Sequence, residues 1–227
     1  MAYKIILIGH IICGFLALTL GLIPMFAKKG SPTHVFWGKI YVFCMYGVSL
    51  GAILLFFLNP SKIFLQFLAG VAILSFYLTF SGVRAVQIKN SGSGPKLIDW
   101  IALFLSGLSG IISLALGIYH ALRIKNGDSL TTAVLFIVFG LFLIQNARVD
   151  FLNFKKDLEL DNKKWFFHHL IRMSGAYTAT FTAFCVVNNH YFPSLIAWFA
   201  PGILASILIA RTVLHYKKKF KFDEVNN

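Results

Sequence analysis

The chain has 227 residues, 58% of them hydrophobic and 13% charged, with a mean hydropathy of +0.76 and a formal net charge of +13. That balance lies outside the range of ordinary soluble domains. The 21 basic residues sit in short segments between apolar runs, not in a groove interleaved with aromatics, which argues against nucleic acid and for a lipid bilayer as the partner.

A hydrocarbon core of about 30 Å needs roughly 20 apolar residues in a helix. Seven runs qualify: Ile5 to Ala27, Val35 to Leu58, Ile63 to Val83, Leu97 to Leu122, Leu130 to Ala147, Trp165 to Val187, and Ser194 to His215. Lone strands would leave their backbone groups unpaired in lipid, and the runs lack the alternation of a barrel, so each is expected to be helical. The first run has no A-x-A site and is followed by Lys28 and Lys29, which favours a retained helix over a cleaved leader. Pro24 and the Pro201-Gly202 pair are expected to bend the first and last spans, and Gly47 with Gly51 forms a GxxxG patch for close helix approach. The charged segment 151–164 is expected to prolong the fifth span. Cys13, Cys44 and Cys185 fall inside apolar runs without CxxC spacing, so neither a disulfide framework nor a cysteine zinc site is indicated. The expected fold class is all-α, a polytopic membrane helix bundle of about seven transmembrane helices. It forms a single integral membrane domain over 1–227, with a short basic tail at 216–227.

Short cytoplasmic loops are enriched in Lys and Arg. One side of the bundle carries fourteen basic residues (Lys28, Lys29, Arg84, Lys89, Lys96, Arg148, Lys155, Lys156, Lys163, Lys164, Lys217, Lys218, Lys219 and Lys221) and the other only Lys4, Lys62, Arg123 and Lys125. The expected orientation is therefore N-terminus out and C-terminus in the cytoplasm.

With that topology the histidines separate into two layers. His10, about five residues into the first span and so roughly 8 Å deep, shares the lysine-poor side with His120 and with His190 in a loop. His34, His168, His169 and His215 lie on the lysine-rich side, and the bilayer centre holds none. Imidazoles in hydrocarbon need partners for their nitrogens, which makes them functional candidates, although a structural hydrogen bond would serve as well. In the sixth span His169, Met173, Tyr177 and Thr180 recur at helical spacing with Arg172 beside them, so this polar face is expected to look into the bundle. Tyr77, Ser81, Arg84, Asp99, Arg148 and Asp150 stand at the same level, as a site for an anionic or metal-bearing ligand would require.

Three segments, His10 with GFLALTLGLIP, HVFWGKIYV from His34, and HHLIRMSGAY around His169, together resemble a bacterial family of multi-pass membrane proteins of unknown function (DUF2306-like). That family carries a helix-one histidine, an HRxxGRxY-like motif and an HRxWMxRxY-like motif. His34, Gly38, Lys39 and Tyr41 match the second motif, with Val35 in place of arginine; His169, Met173 and Tyr177 match the third, with Gly175 where an arginine is usual. The resemblance implies a multi-pass protein of the bacterial inner membrane and singles out these histidines; it implies no activity.

Two classes of function remain open. One is non-enzymatic: an assembly factor, partner subunit or carrier whose polar faces hold helices together. The other is a membrane redox protein binding b-type haem in two layers, His10 with His120 outside and His34 with His169 inside, Arg172 or Lys39 meeting the propionates and a membrane partner donating electrons. A variant places zinc or copper on His34, His168 or His169, and His215. The spans hold no carboxylate near the midplane, which counts against a proton-coupled transporter. A reporter fused to the C-terminus is expected to be shielded from an external label in intact cells; labelling from outside would reverse the two layers.

Overall fold

The computed structural model describes residues 1–124, 127–155 and 163–225, leaving aside the side chains at 127–129 and 222–225. Lys125 and residues 156–162, half of the segment expected to prolong the fifth span, lie outside the described residues, while 151–155 do prolong it. The described chain is helical: α1 (Ala2–Leu20), α2 (Leu22–Phe26), α3 (Pro32–Leu58), α4 (Ile63–Ser91), α5 (Leu97–Leu122), α6 (Gly127–Lys155), α7 (Lys164–Val187) and α8 (Ser194–Val225). Taking α1 with α2 as one span, seven helices among the described residues are long and apolar enough to cross a membrane, so the protein is a multi-pass helix bundle. α8 continues past His215, so the residues expected as a tail extend the last helix through Val225.

The break between α1 and α2 falls where the sequence demands it. Pro24 has no N–H to give to the carbonyl one turn back, and the helix is interrupted at Gly21, three residues earlier. A Cβ on Gly21 would lie 2.7 Å from the Tyr41 ring, so the interruption also lets α3 come close. Pro201, by contrast, lies inside a continuous α8.

α4 is the hub of the bundle. It packs on α3, α5, α6 and α7; α1 lies against α3, and α8 lies at the edge against α7. The core around it joins Ala17, Tyr41, Met45, Leu74, Leu143 and Ala176 from five helices. A second cluster seats Phe67 edge-on against Trp198, ring centres 4.8 Å apart. Large apolar side chains such as Phe43, Phe57, Phe104 and Leu204 are exposed, the surface a lipid-embedded bundle turns to acyl chains.

Between α5 and α6 the contact is backbone on backbone. Ser106, Gly110, Ser113 and Gly117 form a buried stripe of small residues on α5, and a Cβ on Gly110 would come within 2.9 Å of the Gly140 carbonyl oxygen. Small residues serve this purpose in lipid, where packing and not hydrophobicity joins helices. The GxxxG pair of α3 acts similarly, Gly47 meeting Cys13 and Gly51 meeting His10.

Gly140→Val is expected to lower stability by about 1–3 kcal/mol through overpacking, read as an earlier midpoint in detergent unfolding. Gly202→Ala, where nothing lies within 4 Å of the added methyl, should leave the midpoint unchanged or raise it; equal losses for the two would contradict the packing described.

Candidate functional site

At the lysine-rich end, two histidines approach across α3 and α7. Ser31 caps α3, its hydroxyl accepting the His34 N–H at 3.2 Å, with Pro32 in the first turn. This places His34 one turn into the helix with its ring turned back onto α2, where Nδ1 lies 2.9 Å from the Pro24 carbonyl oxygen. Lys29 Nζ donates to the same oxygen at 3.0 Å and to the Met25 oxygen at 2.5 Å. It thereby satisfies the carbonyls left over at the end of α2. Burial holds the Lys29 ammonium below the usual lysine range.

His169 does the same from α7. Its Nδ1 lies 2.8 Å from the Gly82 carbonyl oxygen, reached because α4 and α7 nearly touch there: a Cβ on Gly82 would meet Met173 Sδ at 2.9 Å. The two imidazole centres are 6.3 Å apart, with ring planes inclined at 71°. A carbonyl oxygen can only accept, so both Nδ1 atoms donate, and in the neutral ring each Nε2 carries a lone pair.

Beside this pair is a buried charge cluster. Arg172, 3% exposed, donates through Nη2 to Asp150 Oδ1 at 2.6 Å and to the Asn146 carbonyl at 3.2 Å, and through Nη1 to Asn146 Oδ1. Tyr77 donates its hydroxyl to Asp150 Oδ2 at 2.6 Å. His168 accepts from Arg172 Nε at 3.4 Å and lies 3.6 Å from Asp150. One carboxylate thus clips α4, α6 and α7 together. A second pair joins α4 to α5: Arg84 grips Asp99 with Nε at 2.6 Å and Nη2 at 2.7 Å, while Asp99 also accepts the Lys96 N–H at 2.7 Å at the start of α5. A cavity of about 30 Å³ separates the pairs and is lined by Ser81, whose Oγ has no protein partner; it has room for a water.

The structure brings His34 and His169 together and leaves the other expected groupings apart. His10, on α1, bonds the Val48 carbonyl at 2.9 Å. His120, on α5, stacks on Phe136 at 5.9 Å, and α1 and α5 share no contact, so the outer pair is not assembled. His168 turns to Asp150 and Arg172, away from a three-histidine set with His34 and His215. Among the described residues His215 has only its neighbour Tyr216 as a ring contact, and His190 only Tyr191. Among the described residues no three of His, Cys, Asp and Glu gather as a metal site. Arg172 is committed to Asp150 and Asn146, and Lys39 and Arg148 are exposed, so the cation next to the histidine pair is Lys29. The polar face of α7 does look inward: Tyr177 donates to the Leu18 carbonyl at 3.0 Å, and Thr180 meets Met45 Sδ at 3.4 Å. In the sequence Lys29 stands out only as a basic residue after the first span and Asn146 not at all, although an asparagine at the end of an apolar span is a signal.

Removing one partner of a buried ion pair strands the other. Asp150→Ala is therefore expected to cost about 3–5 kcal/mol, measured by unfolding in detergent. Asp150→Leu combined with Arg172→Leu should cost less than the two single changes added together; strict additivity would mean that the clip is not a coupled unit. Comparisons with protein-family models, curated proteins and solved structures found no match, so the site stands on its geometry.

Proposed function

We propose that this multi-pass membrane protein is a redox protein whose centre is the His34–His169 pair at the cytoplasmic end, holding one b-type haem. The observation that carries this reading is the pair itself. The ring centres are 6.3 Å apart, a separation that would let two imidazoles with their Nε2 atoms turned toward each other share one ion through metal–nitrogen bonds of about 2.0–2.1 Å. Both Nδ1–H groups are tied to backbone carbonyls, the outer support that orients a ligating imidazole and frees Nε2. A donor set of two imidazoles suits haem, whose macrocycle supplies the remaining four nitrogens, better than zinc, which takes three or four protein ligands. Haem bound there would supply one-electron exchange. Lys29 stands beside the pair as the cation for a propionate, while the Arg172 cluster holds α7, and with it His169, in register.

The reading differs from a two-layer arrangement in needing a single site. The non-enzymatic alternative has its own support: 6.3 Å at 71° is also an edge-to-face contact between rings, and both ion pairs are internally balanced. In that case the same residues only hold helices together.

Protein purified from a haem-sufficient host is expected to show one Soret band and one set of reduced-state bands. His34→Ala and His169→Ala should each abolish the whole spectrum, whereas His10→Ala and His120→Ala should leave it intact. A colourless preparation that also fails to take up added hemin would remove the redox reading.

A further inference from the structure

The other end of the bundle holds a cleft that the histidine pair leaves unexplained. It has a volume of about 610 Å³ and lies between α1, α3, α4 and α7. It exists because α1 and α7, tied where Tyr177 reaches Leu18, are not packed together beyond that point. The walls carry small residues where larger ones would close it, among them Gly14, Ala52, Ala72, Ala179 and Ala183.

The cleft's shape and polarity follow the membrane. It runs along α1 from Tyr3 to Leu18, about 22 Å at 1.5 Å per residue, from the helix ends to the middle of the span. Lys62, Asn188 and Tyr3 stand at the mouth, and the deep part is lined mostly by apolar residues such as Leu18, Val71 and Ala72, with Ser75 and Thr180 the polar exceptions. Pockets of this size with apolar walls and few polar groups bind small ligands. A polar mouth at the headgroup level above an apolar shaft fits a molecule with a head and a chain.

His10 makes the head's chemistry more specific. It lines the cleft about 10 Å below Tyr3 by helix rise, and its Nδ1 is 2.9 Å from the Val48 carbonyl oxygen. That oxygen can only accept, so Nδ1 donates, and Nε2 of the neutral ring can only accept. No other hydrogen bond to the His10 ring is present among the described residues. A complementary ligand must therefore offer a donor at that depth; a carbonyl or ether oxygen would face a lone pair.

We infer that this cleft binds a hydroxyl-bearing membrane lipid, its hydroxyl donating to His10 Nε2 and its chain lying along α1 and α7. A lipid alcohol and a phenol on a prenyl chain share this chemistry. The site is independent of the His34–His169 reading, since it lies at the opposite end and requires no metal.

The test uses the full chain in phosphatidylcholine vesicles with two photoactivatable probes, a diacylglycerol and its methyl ether, which differ in whether the oxygen carries a hydrogen to donate or a methyl group. Wild-type protein is expected to be labelled within residues 3–18 or 179–188, about threefold to tenfold more by the alcohol, the effect of one hydrogen bond. Excess unlabelled diacylglycerol or a prenyl phenol should compete, and whichever competes better identifies the kind of hydroxyl lipid. His10→Phe should make the two probes equal, and Ala183→Phe should reduce labelling by both. Equal labelling of the wild type by the two probes would mean that bulk chains merely fill the cleft; that result, no labelling there, competition by neither lipid, or an undiminished preference in His10→Phe would overturn the assignment. The comparison on the wild type holds even if a variant does not fold.

Discussion

Hydrocarbon offers no hydrogen bonds, so a charge that this chain carries into the bundle must be answered by another part of the same chain. The buried carboxylate of Asp150 is the point where that requirement is most concentrated. It receives Tyr77 from α4 and Arg172 from α7 while standing on α6. Three helices are thereby fixed to one another at a defined height. α4 carries Gly82 and α7 carries His169, so the same clip sets the distance over which the Gly82 carbonyl meets the imidazole. The bond at the histidine pair depends on the ion pair one turn away.

Three of the histidines follow one rule. His10, His34 and His169 each spend Nδ1 on a carbonyl of another segment, at 2.8–2.9 Å. Each bond ties a helix to its neighbour and at the same time fixes which nitrogen remains available. Structural and functional accounts of these residues are therefore not rivals at Nδ1; they diverge only at Nε2. At His34 and His169 the remaining nitrogens belong to rings on facing helices, whereas at His10 the neighbour is an apolar cleft.

The seven spans were legible because hydropathy over twenty residues is a strong signal, and the helix ends fall close to the charges and prolines that bound the runs. The inward face of α7 was legible for a related reason: too many polar residues recur at helical spacing for a lipid-facing surface. Which helices are neighbours was not legible. Nothing in the sequence distinguishes His120 as a partner of His10 from His120 as a partner of Phe136, because the choice is made by the small-residue contact that binds α5 to α6. The partners of the histidines were hidden for another reason. Pro24, Gly82 and Val48 contribute main-chain oxygens, and a main-chain oxygen has no letter in the sequence. Arg172 was read as free for a ligand because its acceptor lies twenty-two residues away on a helix whose position had to be seen.

The α5–α6 hairpin also bears on how the molecule is put together. Its two helices meet backbone to backbone, and it joins the remaining bundle chiefly through α4. Before it docks, Asp150 on α6 and Arg172 on α7 would each stand in lipid without a counterion, a state several kcal/mol higher per charge. Docking removes both penalties in one step. Assembly is thus cooperative by electrostatics, and half-built bundles carry a cost that the completed one does not.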